Sequence, residues 1–303
     1  MSTEDGKTRK RGDFKRMVGT AILTLMAAIF AVAFLLPTVL TISNSLMSQT
    51  EINTNYGIIF SDSSGGKSYM LERVNLKFVP DMVSFSQFST VLIRSPDYLL
   101  KFWNSMRLVV PIVLFQVVVA LLASYSFARY RGRFRSVIFF IYIVIMLMPY
   151  QVTLVPNYLV SEWLGLKGSR PAVTLPGIFA PFSVFILTKA MRRVPESLIE
   201  AATLDGAGEF QIFRQICIPM CRSTIYSVVI LVFIDYWNMV EQPLILLDAE
   251  FHPLSVFLSR INAAEVGLAF AVATIYMVPS LLLFLYGEEY LIEGITYSGA
   301  IKG

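Results

Sequence analysis

The sequence predicts an all-α membrane protein with six transmembrane helices. Of its 303 residues, 55% are hydrophobic and only 15% are charged, whereas soluble globular chains average about 45–50% apolar and about 25% charged residues. A helix needs about 20 mostly apolar residues to cross a bilayer. Six segments have this character: approximately 17–43, 104–127, 137–155, 172–190, 224–246 and 267–286. The composition excludes both a soluble enzyme and a disordered chain.

The first segment predicts an uncleaved helix behind a basic tail. Residues 1–16 contain six lysines or arginines, which is typical of a cytoplasmic flank. The apolar run of 17–43 passes a small-residue site at 31–33 and continues to Ile42, farther than the apolar core of a signal peptide. We therefore expect this helix to anchor the chain in the membrane.

The distribution of basic residues predicts the orientation. With the N-terminus inside, 16 of the 25 lysines and arginines lie on the cytoplasmic side, where the loops of membrane proteins are enriched in these residues. Four of them lie between the second and third spans: Arg129, Arg131, Arg133 and Arg135. Both termini are therefore expected in the cytoplasm.

The outer segment 44–103 is the only long excursion between spans on that side. It contains a Ser- and Gly-rich turn at 61–66 and is otherwise mixed polar and aromatic. It is too short and too polar for an enzyme domain, so we expect a small cap or a docking surface. The transmembrane core then covers 104–286. Its fourth span is interrupted by prolines and a glycine, which are commoner in membrane helices than in soluble ones.

A cytoplasmic elbow is predicted between the fourth and fifth spans, over residues 191–222. Helix connections in bundles usually need only about 2–8 residues, and this segment is far longer. Pro195 suits the first position of a helix. Leu198, Ala201 and Ala202 form one apolar stripe at helical spacing.

A glycine break and a second short helix complete the predicted elbow. Gly206 is expected to end the first helix, because only glycine takes a left-handed turn without steric cost. The second helix begins near Gly208 and stops at Pro219. It presents Phe210, Phe213, Ile216 and Cys217. The expected product is a compact, rigid elbow.

The elbow carries a spaced pattern: Glu200-Ala201-Ala202, Gly206, Ile216 and Ile218-Pro219. This pattern resembles the cytoplasmic signature of permease subunits of bacterial ATP-binding-cassette importers, with Ile218 where leucine is usual. Further segments resemble the carbohydrate, maltose-type branch of that family: 203–207 with Phe213, Trp237-Asn238, Pro243-Leu244, 294–296 and 299–303. The resemblance extends from about Phe102 to the end of the chain.

The resemblance implies the type I permease fold of these importers, in the bacterial inner membrane. The implied partners are a second homologous permease, two ATPase subunits and an extracytoplasmic solute-binding protein, with no nucleic acid. The elbow would dock into an ATPase cleft and transmit its closure to the spans. The implied coupling residues are Glu200, Ala201, Ala202, Asp205, Gly206, Phe210, Phe213 and Pro219. The tail, 287–303, resembles one that reaches the ATPase interface in relatives.

No catalytic site, metal site or cofactor is expected in this chain. A phosphate-binding loop needs a glycine, four residues and then Gly-Lys-Ser/Thr. Gly6-Lys7-Thr8 and Gly66-Lys67-Ser68 both lack the first glycine. ATP and Mg²⁺ are therefore expected to bind the partner ATPase, and the chain is not expected to be an enzyme.

The fifth span contains the candidate solute pathway. Asp235 lies about 11 residues into the span, or about 16 Å at 1.5 Å per residue, and an ionisable residue at that depth is a functional-site hypothesis by default. Asp235, Asn238 and Gln242 share one helix face at i, i+3 and i+7. The candidates are Asp235, Trp237, Asn238, Glu241 and Gln242, with Tyr150 and Gln151 from the third span as weaker ones. Alternatively, Asp235 pairs with a partner subunit or another helix and never touches the solute.

Import of a sugar or oligosaccharide is the expected function. Amides and carboxylates bind sugar hydroxyls, and aromatic rings pack against the C–H faces. The same type of importer for glycerol phosphate, a polyol or another small solute is the alternative, although carboxylates in the fifth span disfavour anionic cargo. A membrane enzyme would need a clustered nucleophile, base or metal. A channel working alone would have no use for the elbow.

Overall fold

The computed structural model describes the backbone of residues 4–60, 76–130, 132–260 and 266–299. Side chains are described within 17–56, 76–130, 132–260 and 266–292. The Ser- and Gly-rich turn at 61–66 and the last residues, 300–303, lie outside the described residues. Contacts divide the chain into two compact units, 1–94 with 262–274 and 95–261 with 275–303.

Regular structure in the described residues is helical. The α-helices are α1 (Glu4–Ser45), α2 (Gln49–Phe60), α3 (Ser86–Ser89), α4 (Pro96–Arg129), α5 (Arg133–Met146), α6 (Tyr150–Trp163), α7 (Pro171–Ile178), α8 (Pro181–Met191), α9 (Glu196–Leu204), α10 (Glu209–Ile212), α11 (Ile218–Met220), α12 (Arg222–Trp237), α13 (Glu241–Leu246), α14 (Leu254–Leu258) and α15 (Val266–Gly299). Two π-helical turns, Thr90–Arg94 and Phe213–Cys217, follow α3 and α10, and a 3-10 turn at Ala249–Phe251 precedes α14. An isolated parallel β-bridge joins Gly168 and Leu247.

Four helical segments are long and apolar enough to cross a membrane: Met17–Ser45, Pro96–Arg129, Pro171–Met191 and Val266–Ile292. They match the first, second, fourth and sixth predicted spans, including the proline-interrupted fourth. The second begins at Pro96, eight residues before its predicted start, because proline is well placed in the first turn of a helix.

The third predicted span, 137–155, is wrong as one straight helix. α5 ends at Met146, α6 begins at Tyr150, and the two helices meet at 104°. Pro149 explains the break, since proline lacks an N–H and disfavours helical backbone at the preceding residue. A count of six spans requires each bent helix pair to be one span, so that count stays a prediction.

The fifth predicted span, 224–246, also differs from the structure. α12 stops at Trp237, and the short α13 starts at Glu241. The Asn238 side-chain amide donates to the Ile234 carbonyl at 2.8 Å, and the Asn238 backbone N–H donates to the same carbonyl at 3.2 Å, so Asn238 caps the last turn of α12. At its other end, α12 meets the segment Glu209–Met220 at 75°.

The first unit contains α1, α2, the described part of the outer segment up to Arg94 and the start of α15. Its apolar core is small: Met47, Ile52, Tyr56 and Val266. Lys77 donates to the Asp81 carboxylate and lies 2.9 Å from the Glu51 carboxylate. These carboxylates, Asp81 first, raise the pKa of Lys77. The ion triad fixes the described end of the outer segment onto α2.

Helix α4 is the centre of the second unit, since it contacts α5, α7, α8, α12 and α14. Buried apolar clusters lie along it, one around Leu108 and another around Leu187. Gln116 on α4 donates to the Ser183 hydroxyl at 2.7 Å, which pairs two polar groups that a membrane helix could not leave unbonded. Both the elbow and α12 pack against this group of helices.

Candidate functional site

The first half of the elbow is α9, which ends in a left-handed turn at Gly206. Gly206 has a φ of +84°. Its N–H donates to the Thr203 carbonyl at 3.1 Å, and the Ala207 N–H donates to the Ala202 carbonyl at 2.9 Å. These two bonds form the Schellman ending that glycine favours. The structure therefore bears out the predicted turn, while Pro195 lies one residue before the first helical position.

The second half of the elbow does not stop at Pro219 as predicted. The helical path runs from Glu209 to Met220 and widens into a π-helical turn at Phe213–Cys217 just before the proline. Such a turn lets a helix pass a residue that has no N–H to donate. The chain changes direction two residues later, at Cys221.

One face of the elbow is packed against the second unit's own helices. The buried residues of this cluster are Met191, Val194, Ile199, Ile212, Phe213, Cys217 and Cys221. Leu121, Tyr125 and Ile225 pack against them from α4 and α12. The predicted stripe is wrong in part: Leu198 and Ala201 are exposed, and the buried contacts come from Ile199 with partly buried Ala202.

A polar clamp holds the elbow to the end of α4. The Tyr125 hydroxyl donates to the Glu209 carboxylate, and the Tyr125 ring lies 5.0 Å from the Phe213 ring. Arg129 Nε lies 3.9 Å from Glu209 Oε1. This clamp could not be predicted from sequence, because residues 84 positions apart share no periodicity that could pair them.

The opposite edge of the elbow is exposed and partly apolar. Leu204 is 89% exposed and Phe210 is 69% exposed. Of the implied coupling residues, the exposed ones are Glu200, Ala201, Asp205, Gly206, Phe210 and Pro219. Phe213 instead belongs to the buried face. The elbow thus has one anchored face and one apolar, acidic edge that the described residues leave uncovered.

The candidate solute residues do not share one helix face. Because α12 ends at Trp237, the spacing of Asp235, Asn238 and Gln242 is not continued by helical backbone. Trp237 is 1% exposed. Its ring stacks on Phe233 and Tyr276 at centroid distances of 5.3 Å and 5.2 Å. Its indole N–H donates to the Tyr276 carbonyl at 3.1 Å, so it terminates α12 as a packed core residue.

Four other polar residues meet at the junction of α6, α12 and α13. The Tyr150 hydroxyl is buried and has no hydrogen-bond partner of standard geometry within the described structure. It faces Glu241, Gln242 and Tyr236. The Tyr236 hydroxyl lies 3.4 Å from the Gly177 carbonyl on α7. The structure therefore brings three sequence candidates together, of which Glu241 is exposed. Asp235, Asn238 and Gln151, outside this group, are exposed as well.

The family model described as "Binding-protein-dependent transport system inner membrane component" matches residues 97–291. This range begins in the first turn of α4 and includes the elbow, α12 and most of α15.

Two curated proteins are similar over most of their length. The arabinooligosaccharides transport system permease protein AraQ of Halalkalibacterium halodurans is 28% identical over 240 residues, which cover 77% of this chain and 85% of AraQ. The melibiose/raffinose/stachyose import permease protein MelC of Bacillus subtilis is 27% identical over 289 residues, which cover 93% of this chain and 96% of MelC.

One similar solved structure is a chain of a bacterial ABC transporter involved in the import of the acidic polysaccharide alginate. The TM-score is 0.74, with 91% of this chain and 97% of that chain covered, at 21% sequence identity. At this identity the likeness shows a shared fold.

Proposed function

The chain belongs to the family of binding-protein-dependent transport system inner membrane components, and from this premise we propose that it moves a sugar or oligosaccharide into the cell as the permease subunit of an ATP-driven importer. Family membership confirms the resemblance that the elbow predicted. The apolar helices agree with a place in the inner membrane.

The proposed complex contains a second homologous permease, two ATPase subunits and an extracytoplasmic solute-binding protein. ATP and Mg²⁺ bind the ATPase subunits, and this chain supplies no catalytic residue. The family description supports the binding protein. The near misses to a phosphate-binding loop support a separate ATPase.

The observation that carries the proposal is the two-sided elbow. Its inner face is buried against α4, α8 and α12, while Leu204 and Phe210 are exposed on its outer edge. An exposed apolar edge next to acidic residues marks a protein interaction site. The ATPase is the partner that family membership offers on the cytoplasmic side.

The packing of the elbow explains how it would transmit force. Close-packed side chains transmit displacement with little compression. The Tyr125–Glu209 contact and the Phe213 ring tie the elbow to α4. Closure of the two ATPases would therefore move the elbow and α4 together and switch the pathway from inward-facing to outward-facing.

The cargo is proposed from the relatives and from the polar junction. AraQ and MelC are both named for oligosaccharides. Tyr150, Glu241 and Gln242 offer a hydroxyl, a carboxylate and an amide, which suit sugar hydroxyls. None of the three carries a positive charge, so the junction favours a neutral sugar over glycerol phosphate.

The test is ATP-driven sugar uptake by the complete importer in liposomes. Leu204→Asp and Phe210→Asp place a carboxylate on the exposed apolar edge, so we expect uptake and ATPase stimulation to fall at least about tenfold, which corresponds to about 1.4 kcal/mol of lost docking energy. Gln215→Asp is the matched control, because Gln215 is an exposed, polar residue of the same elbow. Normal uptake in both edge variants would contradict the proposal.

A further inference from the structure

A cavity of about 470 Å³ lies where the ends of α4 and α8 meet the starts of α5 and α9. Three arginines line it, Arg129, Arg135 and Arg192, against one carboxylate, Glu196. α4 ends at Arg129, and α8 ends one residue before Arg192. The cavity is therefore electropositive and lies level with the ends of apolar spans.

One arginine of this cavity has a buried donor without a hydrogen-bond acceptor. Arg129 Nε is buried without a hydrogen-bond partner among the described residues, and Glu209 Oε1, at 3.9 Å, is beyond hydrogen-bond distance. A buried charged donor left unbonded costs free energy. An anion in the cavity would remove that cost through a charge-assisted bond.

The two other arginines keep donors available. Arg192 donates to the Phe127 carbonyl at 3.2 Å. The Arg135 guanidinium stacks over the Tyr130 ring at 4.7 Å. One carbonyl and one ring face cannot satisfy the five N–H donors that each guanidinium carries. Both side chains can therefore add donors to a shared anion.

The rest of the lining is apolar and includes the elbow. Phe127, Val194, Ile199 and Cys217 form part of the wall, and the last three belong to the buried face of the elbow. A ligand that is anionic at one end and apolar at the other fits such a lining. Occupancy would also join the ends of the spans to the elbow.

We propose that this cavity binds the phosphate headgroup of an anionic phospholipid from the adjacent membrane leaflet. Basic pockets between membrane helices on the cytoplasmic side bind such headgroups. A free phosphate shares the charge but not the apolar part, so the apolar wall favours the lipid. The site goes beyond transport and does not depend on which solute is carried.

The experiment counts lipids bound to the purified importer complex by native mass spectrometry. Phosphatidylglycerol, phosphatidylcholine and inorganic phosphate are added separately. We expect phosphatidylglycerol to be preferred, and Arg129→Gln and Arg192→Gln to weaken its binding about fivefold each, since each basic residue near an anionic surface is worth about this factor. Arg133→Gln is the matched control, because Arg133 is exposed in the first turn of α5 and does not line the cavity.

A second variant narrows the cavity without changing its charge. Ser136→Phe places a large side chain at an exposed position of the lining, and we expect it to weaken phosphatidylglycerol binding even if the arginine variants fail to assemble. Equal binding of the two lipids, or unchanged phosphatidylglycerol binding in Ser136→Phe, would overturn the proposal. So would binding of inorganic phosphate with no retention of phosphatidylglycerol. Since lipid is counted without transport, a negative result leaves the uptake proposal untouched.

Discussion

Two glycines of the elbow, two positions apart, have different backbone conformations. Gly206 has a φ of +84°, whereas Gly208 has a φ of −76°. A Cβ added to either would meet no atom within 4 Å. The cost of a side chain at Gly206 therefore comes from the backbone alone, about 1–2 kcal/mol for an L-residue in the left-handed region.

We expect Gly206→Ala to destabilise the end of α9 by about 1 kcal/mol and Gly208→Ala to leave it unchanged. Hydrogen exchange of the elbow amides in the assembled importer measures the difference in stability between the two variants. Sugar uptake should fall in Gly206→Ala. Gly206→Pro should be more severe, because it also removes the N–H that donates to Thr203. Equal exchange in both alanine variants would show that the turn does not hold the elbow.

Individual residues differ in how far sequence could predict them. The role of Gly206 depends on local sterics, which sequence contains. The Tyr125–Glu209 contact depends on tertiary packing between α4 and α10, which no local pattern contains. Sequence named Tyr150 only as a weaker candidate on the third span, and its buried hydroxyl and its position facing Glu241 and Gln242 needed the structure.

At the level of helices, the end of α12 decides which side chains share a surface. Sequence hydropathy extends the fifth span to Leu246, but the helix stops at Trp237, and Asn238 caps its last turn through the Ile234 carbonyl. Hydropathy reports how apolar a segment is and not where its backbone turns. For the same reason the bend at Pro149 was missed, while the uninterrupted α4 was found.

Two conservative variants separate packing from solute contact at this junction. Trp237→Phe keeps the stacked ring but removes the donor to the Tyr276 carbonyl, so we expect about 1 kcal/mol lower stability and unchanged sugar affinity. Tyr150→Phe removes a buried hydroxyl that has no hydrogen-bond partner of standard geometry in the described structure, so we expect little change in stability and a several-fold higher KM for uptake. Thermal unfolding and uptake kinetics of the complex measure both. If Trp237→Phe instead lowered sugar affinity and Tyr150→Phe lowered stability, Trp237 would be the solute contact and Tyr150 the packing residue.

For the whole molecule, composition was enough to predict a helical membrane protein, and the spacing in the elbow was enough to predict the family. Composition did not determine the number of spans. Four helical segments are long enough to cross a membrane alone, and the total reaches six only if each of the two bent helix pairs is one span. The partner subunits are proposed from family membership, and the ATPase is the proposed partner of the exposed elbow edge.

A photo-crosslinking amino acid placed at Leu204 or Phe210 tests whether the ATPase subunit covers the exposed edge of the elbow. The experiment uses cell membranes that contain the complete importer. Both side chains are exposed on the outer edge of the elbow, so each should crosslink to the ATPase subunit, with a yield that changes when ATP is bound. The same probe at Phe34, which is exposed in the first span, should give no ATPase crosslink. If neither elbow position crosslinks to the ATPase while the importer is active, the elbow does not couple ATP hydrolysis to transport.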